Sequence, residues 1–259
     1  VLDALGQVGG PFVPGDLESE DAAYLRQAFR PALDHVGLLP REGESETATL
    51  VRPRLLLWLG DTGRDPDIRR VAEEQAAAYL ADPASVPASI SGPGLILAAM
   101  DGSAEEFEAT KQRFEAAATP TERERHLQAL GAFRDPKLIE KALDYAFSGP
   151  LRTNELFTLP ASITQTPSGK DRAYRWMTES YGTLAERLPP EFMGFMPFFA
   201  GGCSAERLES ARQFFAEPEH QAKGTPRMVG RVAAQVDECL ALRSREGESA
   251  RRFLEETGP

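Results

Sequence analysis

Leu151-Arg-Thr-Asn-Glu-Leu156, followed by Ala161-Ser-Ile-Thr-Gln-Thr-Pro-Ser-Gly-Lys-Asp-Arg-Ala-Tyr-Arg-Trp-Met177 and a run through Tyr181 to Leu188, decides the fold. Two helical runs meet at Pro167-Ser168-Gly169, where proline and glycine together interrupt a helix and favour a turn. The second run carries Trp176 and Met177 one turn before Tyr181, so three large side chains share a region that asks for a core. A helix, a short turn and a second helix form the unit from which the rest is read.

The same period continues on both sides. Leu25, Ala28, Phe29, Ala32 and Val36 fall at helical spacing, as do Ile68, Val71, Ala72, Ala76, Tyr79 and Leu80. Leu138, Ala142, Leu143 and Ala146 repeat it, then Leu208, Ala211 and Phe215, then Met228, Val232, Val236 and Leu240. Period-2 runs rich in β-branched residues are missing, so the chain reads as all-α. Asp65-Pro66, Thr119-Pro120 and Asp135-Pro136 each place a side-chain acceptor at the N-cap and proline at the first helical position. Ser103 to Glu106 reads as a capping box, and Ser168 to Asp171 as a second with Asp for Glu. Gly60, Gly102, Gly131 and Gly149 lie where helices stop.

These signals predict helices of roughly 12–16 residues, starting about every 15–20 residues and joined by short turns. That tiling favours a HEAT/armadillo-like α-solenoid of antiparallel helix pairs, curved with a concave face, over a compact bundle. Residues 1–259 are expected to form one such domain, truncated at its N-terminus, with 1–17 the remnant of a preceding helix and linker. Pro31 and Pro53 should kink or divide their helices. Ala81 to Gly94, with Pro83, Pro87 and Pro93, is the weakest stretch and reads as a long turn.

Composition narrows the function. Hydrophobic residues make up 41% and charged residues 27%, as in a folded globular chain. A net charge of −11 argues against a nucleic-acid surface, and Glu122-Arg-Glu-Arg125 reads as a solvated helix face. No apolar run approaches the ~18 residues of a membrane span, and a cytoplasmic location is expected. Cys203 and Cys239 have no metal-ligand spacing. They can pair, but two thiols make no disulfide scaffold, and they are read as free and partly buried.

No chemistry-bearing motif stands out. His35, His126 and His220 are too far apart for the i, i+4 pair of a helical zinc site. Glu217 and His220 form a Glu-x-x-His, but Pro218 interrupts it, leaving an exposed loop histidine as the simpler reading. Gly92-Pro-Gly94 and Gly201-Gly202 read as helix punctuation. The cluster Phe192, Met193, Phe195, Met196, Phe198 and Phe199 reads as packing ahead of an exposed patch, and Trp176 and Met177 as core.

The opening stretch resembles the C-terminal domain of the M1 zinc aminopeptidases, in which an x-Pro-x-Gly-x-x-x-Ala-Trp turn and helix recur. Leu33 to Leu38 followed by Glu44 to Arg52 is similar to the family's leucine-glycine turn, glutamate-rich cap and Leu-Arg helix. Leu59-Gly-Asp61, His126 to Pro136 and Arg212-Gln-Phe-Phe215 follow in the family's order, from about Asp21 to Leu242. Asn154-Glu155 stands where the family has Gln-Asp, and Tyr181 where it has tryptophan. The resemblance implies a non-catalytic domain that caps the cleft of an upstream catalytic domain and shapes its peptide-holding chamber. Zinc would then be held upstream, and no cofactor is expected in this chain. It also implies that Arg152, Lys170, Arg172 and Arg175, on a concave wall, receive a peptide's carboxylate. The implied partners are the catalytic domain and peptides, with neither nucleic acid nor membrane. Two other readings stay open: a free-standing HEAT-like scaffold for another protein, and an all-α hydrolase or lyase with convergent carboxylates.

Overall fold

The computed structural model describes residue 13, residues 15–165 and residues 167–257, and of Pro167 and Ser168 the backbone alone. Residues 1–12, most of the expected remnant helix and linker, and the Ser168 side chain of the second capping box therefore lie outside the described residues. The described residues are helical without strands. They fall into two compact units, one ending at Phe133 but taking in residues from Glu248 onward, the other Arg134–Gly247.

The first unit holds α1 (Glu18–Val36), α2 (Glu46–Asp61), α3 (Pro66–Ala81), α4 (Ala88–Met100), α5 (Ala104–Ala116) and α6 (Pro120–Leu130). Each of α1 to α3 packs on its successor, as α3 does on α4 and α5 on α6, while α2 and α6 also pack on α4. This neighbour-upon-neighbour pattern is solenoid-like. Helix α4 is apolar nearly all round, as a helix covered on several sides must be, with Ile90, Leu95, Leu97 and Met100 buried. The second unit holds α7 (Pro136–Ser148), α8 (Glu155–Ile163), α9 (Pro167–Glu179), α10 (Tyr181–Arg187), α11 (Pro190–Met193), α12 (Ala205–Phe214) and most of α13 (Thr225–Thr257). Here α9 packs against α7, α8, α10 and the 3-10 turn Met196–Ala200.

The caps behave as their chemistry requires. Asp65 accepts from the N–H groups of Asp67 and Ile68, and Asp135 from those of Lys137 and Leu138. Ser103 with Glu106 and Thr119 with Glu122 complete reciprocal capping boxes. Trp176 and Met177 are buried, as are Leu138, Ala142, Leu143 and Ala146 on α7.

Several expectations need correction. On α1 the buried stripe is Ala22, Leu25, Leu33 and Val36, with Phe29 half-buried and Ala28 and Ala32 exposed. Pro31 and Pro53 do not divide their helices, although each withholds one i→i−4 donor. Buried residues on both sides of each proline hold the helix in one piece. The expected long turn at 81–94 shrinks to 82–87, because Pro93 and its flanking glycines lie inside α4. Gly94 is there for packing: a Cβ would meet the Ala72 carbonyl and the Gln75 Cβ at 3.4 Å. Pro167-Ser168-Gly169 is the first turn of α9 rather than a separate linker. Regular helix lengths also fail after α9, where helices of 7 and 4 residues precede one of 33 residues.

Arginine does much of the joining. Fully buried Arg52 donates from Nε to the Gly37 carbonyl (3.0 Å) and from Nη2 to that of Val36 (2.6 Å), closing the C-terminus of α1, and both Nη atoms bond Glu44. Arg69 reaches Gly60 O at 2.8 Å near the end of α2, and Arg187 reaches Phe147 O at 2.8 Å near the end of α7. Arg123, expected on a solvated face, is buried with its guanidinium 4.0 Å above the Phe114 ring. Helix C-termini leave carbonyls unbonded, and a guanidinium satisfies them while complementing the dipole.

Candidate functional site

The four basic residues implied as a carboxylate receiver all lie in the second unit, Arg152 ahead of α8 and the other three on α9. Arg152 is exposed just ahead of α8, where its backbone N–H donates to the buried Glu155 carboxylate at 2.8 Å. Arg172 is half-buried and paired with Glu140 of α7 at 3.2 Å. Arg175 is exposed. On an α-helix Lys170 and Arg172 project about 200° apart, so they flank the buried stripe of Ala173 and Met177 from opposite sides.

Lys170 has the more distinctive surroundings. It is half-buried in the first turn of α9, and its Cδ would lie 3.6 Å from a Cβ built at Gly202. Burial foremost, then the Arg207 guanidinium, hold its ammonium below the usual lysine range, against an opposing pull from Asp171. Asp171 is committed to Arg207 as an ion pair. Arg207 also donates to the carbonyls of Ala200 (3.4 Å) and Gly201 (2.8 Å), which fixes the turn leading into α12. Gly202 has φ +118°, a conformation open to glycine and strained for other residues, and Arg207 Nη2 lies 2.7 Å from where its Cβ would be. Two cations and one carboxylate thus meet over a glycine turn, an arrangement suited to an anionic group that can replace or join Asp171.

Sequence reasoning missed Arg207. The available signal was Ser204, which caps α12 by accepting from the Arg207 N–H at 3.2 Å and so sets the arginine in the helix's first turn. It also misread the cysteines. Cys203 and Cys239 form a disulfide across 36 residues, with Cα atoms 5.5 Å apart. Spacing alone could not reveal this, because the partners lie on different elements, the turn before α12 and α13.

His220 is half-buried rather than exposed. It stacks on Phe214 with ring centroids 3.7 Å apart, its Nδ1 is 2.8 Å from Phe214 O, and its carbonyl accepts from the Tyr181 hydroxyl. The phenylalanine cluster divides at a three-residue spacing. Met193, Met196 and Phe199 are buried, while Phe192, Phe195 and Phe198 face outward. Among the described residues no group of three or more His, Cys, Asp and Glu side chains is placed to hold a metal ion. No helix among them is long and apolar enough to cross a membrane.

Comparison with known proteins points one way. Aminopeptidase 2, mitochondrial, of Saccharomyces cerevisiae is 22% identical over 265 residues, an alignment covering all of this chain and 28% of that protein. Alanine/arginine aminopeptidase of the same yeast is 33% identical over 64 residues, 25% of this chain and 8% of that protein. The chain therefore spans little more than a quarter of the longer relative. A family model described as ERAP1-like C-terminal domain matches residues 1–238. With its helical fold and stacked neighbours, the chain belongs to the ERAP1-like C-terminal domain family.

Proposed function

We propose that residues 1–259 act as one non-catalytic C-terminal domain of an M1-like zinc aminopeptidase, capping the catalytic cleft and shaping the chamber that holds the peptide. The observation that carries this reading is the match of residues 1–238 to a family defined as a C-terminal domain. Its alignment to 28% of a yeast aminopeptidase supports the same view. Removal of the N-terminal residue belongs to an upstream domain, where zinc would activate water. Lys170, next to Arg207, is the leading candidate for a peptide carboxylate, with Arg152, Arg172 and Arg175 secondary. Arg172 is already engaged by Glu140. The partners are the upstream domain and peptides.

The test compares the chain alone with the chain joined to its catalytic half, using aminoacyl-coumarin substrates and metal analysis. Hydrolysis is expected only from the joined protein, with no stoichiometric zinc on the chain alone. Tight zinc binding by the purified 259 residues, or chelator-sensitive hydrolysis by them, overturns the assignment. A cytoplasmic location belongs to this proposal and is checked by fractionation. There the thiol pool would act on the bond between Cys203 and Cys239.

A further inference from the structure

We propose that Cys203–Cys239 is a thiol–disulfide exchange site, opened and reclosed by low-molecular-weight thiols, whose state sets how firmly residues 200–207 are held to α13. This goes beyond the function proposed above and stands whether or not a catalytic domain precedes the chain.

Three observations converge on it. The Cα separation of 5.5 Å falls at the usual value for a disulfide, so neither backbone has to move for the bond to form or reform. Both cysteines are half-buried, which leaves the bond open to a small attacking thiol. The turn that carries Cys203 is otherwise tied toward α12: Arg207 holds the Ala200 and Gly201 carbonyls, and Ser204 caps the helix. Toward α13, Arg212 reaches Asp237 at 3.7 Å, and both side chains are exposed, so that pair holds little. The covalent link joins the turn to α13 within one helical turn of the buried Val236.

The neighbourhood also orders the chemistry. Lys170 and Arg207 lie beside Gly202, next to Cys203, whereas Cys239 follows Asp237 and Glu238 on its helix. A thiolate is better stabilised near cations, so Cys203 is the favoured leaving group. An external thiolate attacks Sγ of Cys239, the S–S bond breaks, and Cys203 departs as thiolate and takes up a proton. A second external thiol attacks the mixed disulfide at its own sulfur. Cys239 is then released and protonated, and the two external sulfurs end joined to each other. Two electrons and two protons pass from the two external thiols to the two cysteines.

The experiment uses the full 259-residue chain with glutathione as probe. Without reductant, maleimide should label no cysteine. Native protein in millimolar reduced glutathione should gain two labels, and oxidised glutathione should remove them. Closing a 36-residue loop predicts that reduction lowers the melting temperature by about 8–15 °C, and hydrogen exchange should rise at residues 200–207. The C203S/C239S chain should melt like the reduced protein and ignore glutathione. The proposal is overturned if the native bond resists glutathione and opens only in denaturant, if both thiols label without reductant, or if oxidised and reduced wild type melt together.

Discussion

Replacing Arg52 with methionine tests how the first unit is held together. The substitution keeps the apolar stem and deletes a guanidinium that is fully buried. It strands the Val36 and Gly37 carbonyls at the end of α1 and removes the partner of Glu44. Each bond from a charged donor is worth about 1.5–3 kcal/mol, so the two carbonyls alone account for about 3–6. Glu44 is partly exposed and can turn to water, so the stranded carbonyls set the loss, which we expect at about 3–5 kcal/mol. Against a total of about 5–15 kcal/mol, the variant should melt well below wild type, by roughly 6–20 °C. Urea and thermal unfolding followed by circular dichroism at the helix band measure this. The Arg52 guanidinium foremost holds the Glu44 carboxyl down to about 2, from 4.5 in the ordinary state. Its contribution is therefore complete above pH 4.5 and is lost as pH falls toward 2. Glu44→Gln should flatten that acid limb and weaken the fold less than Arg52→Met, since the carbonyl bonds survive. A loss under 1 kcal/mol for Arg52→Met would refute the reasoning, because it would show the carbonyls are satisfied without the arginine.

His126 should make stability depend on milder acid. Burial first, then Arg113, hold its imidazole down to about 4, and its buried Nδ1 has no hydrogen-bond partner. The unfolded chain binds the proton near 6.5, so stability should fall by about 2–3 kcal/mol as pH drops from 6.5 to 4. Urea titrations across that range should lose this slope in His126→Leu. Two glycines in helices should respond oppositely to alanine. At Gly60 a Cβ would stand 2.8 Å from both Leu97 methyl groups, within a buried contact, and should cost about 1–3 kcal/mol. At Gly92 the nearest atom is 4.0 Å away, so helix propensity should favour alanine by about 0.5–1 kcal/mol; paired melts decide both. With the chain joined to the catalytic half proposed for it, Lys170→Gln should raise KM for peptides with a free C-terminal carboxylate while leaving their amides unchanged. Equal effects on both would remove Lys170 from carboxylate recognition.

Local chemistry made much of the helix order legible. Asp-Pro and Thr-Pro starts act within a few residues and were found where a side chain could reach its own helix's N–H groups. Stripe positions on α7 were equally readable, since Leu138, Ala142, Leu143 and Ala146 face one core. On α1 the pattern misled, because alanine fits either surface or core and Ala28 and Ala32 took the surface. The basic residues 152, 170, 172 and 175 were close in sequence, yet their directions depend on where each helix begins and on which neighbour stands opposite. Glu140 engaged one of them, and Arg207, from a helix about 35 residues away, gave Lys170 its setting.

What the chain's own order of residues determined is the set of helices: period, caps and proline positions are short-range, and each carries its meaning within a turn or two. Which glycines are spacers, which arginines close a neighbour's C-terminus, and that Cys203 meets Cys239 were decided by tertiary structure alone. Those outcomes depend on atoms tens of residues apart arriving within a few ångströms, and no local pattern encodes the approach of one helix to another.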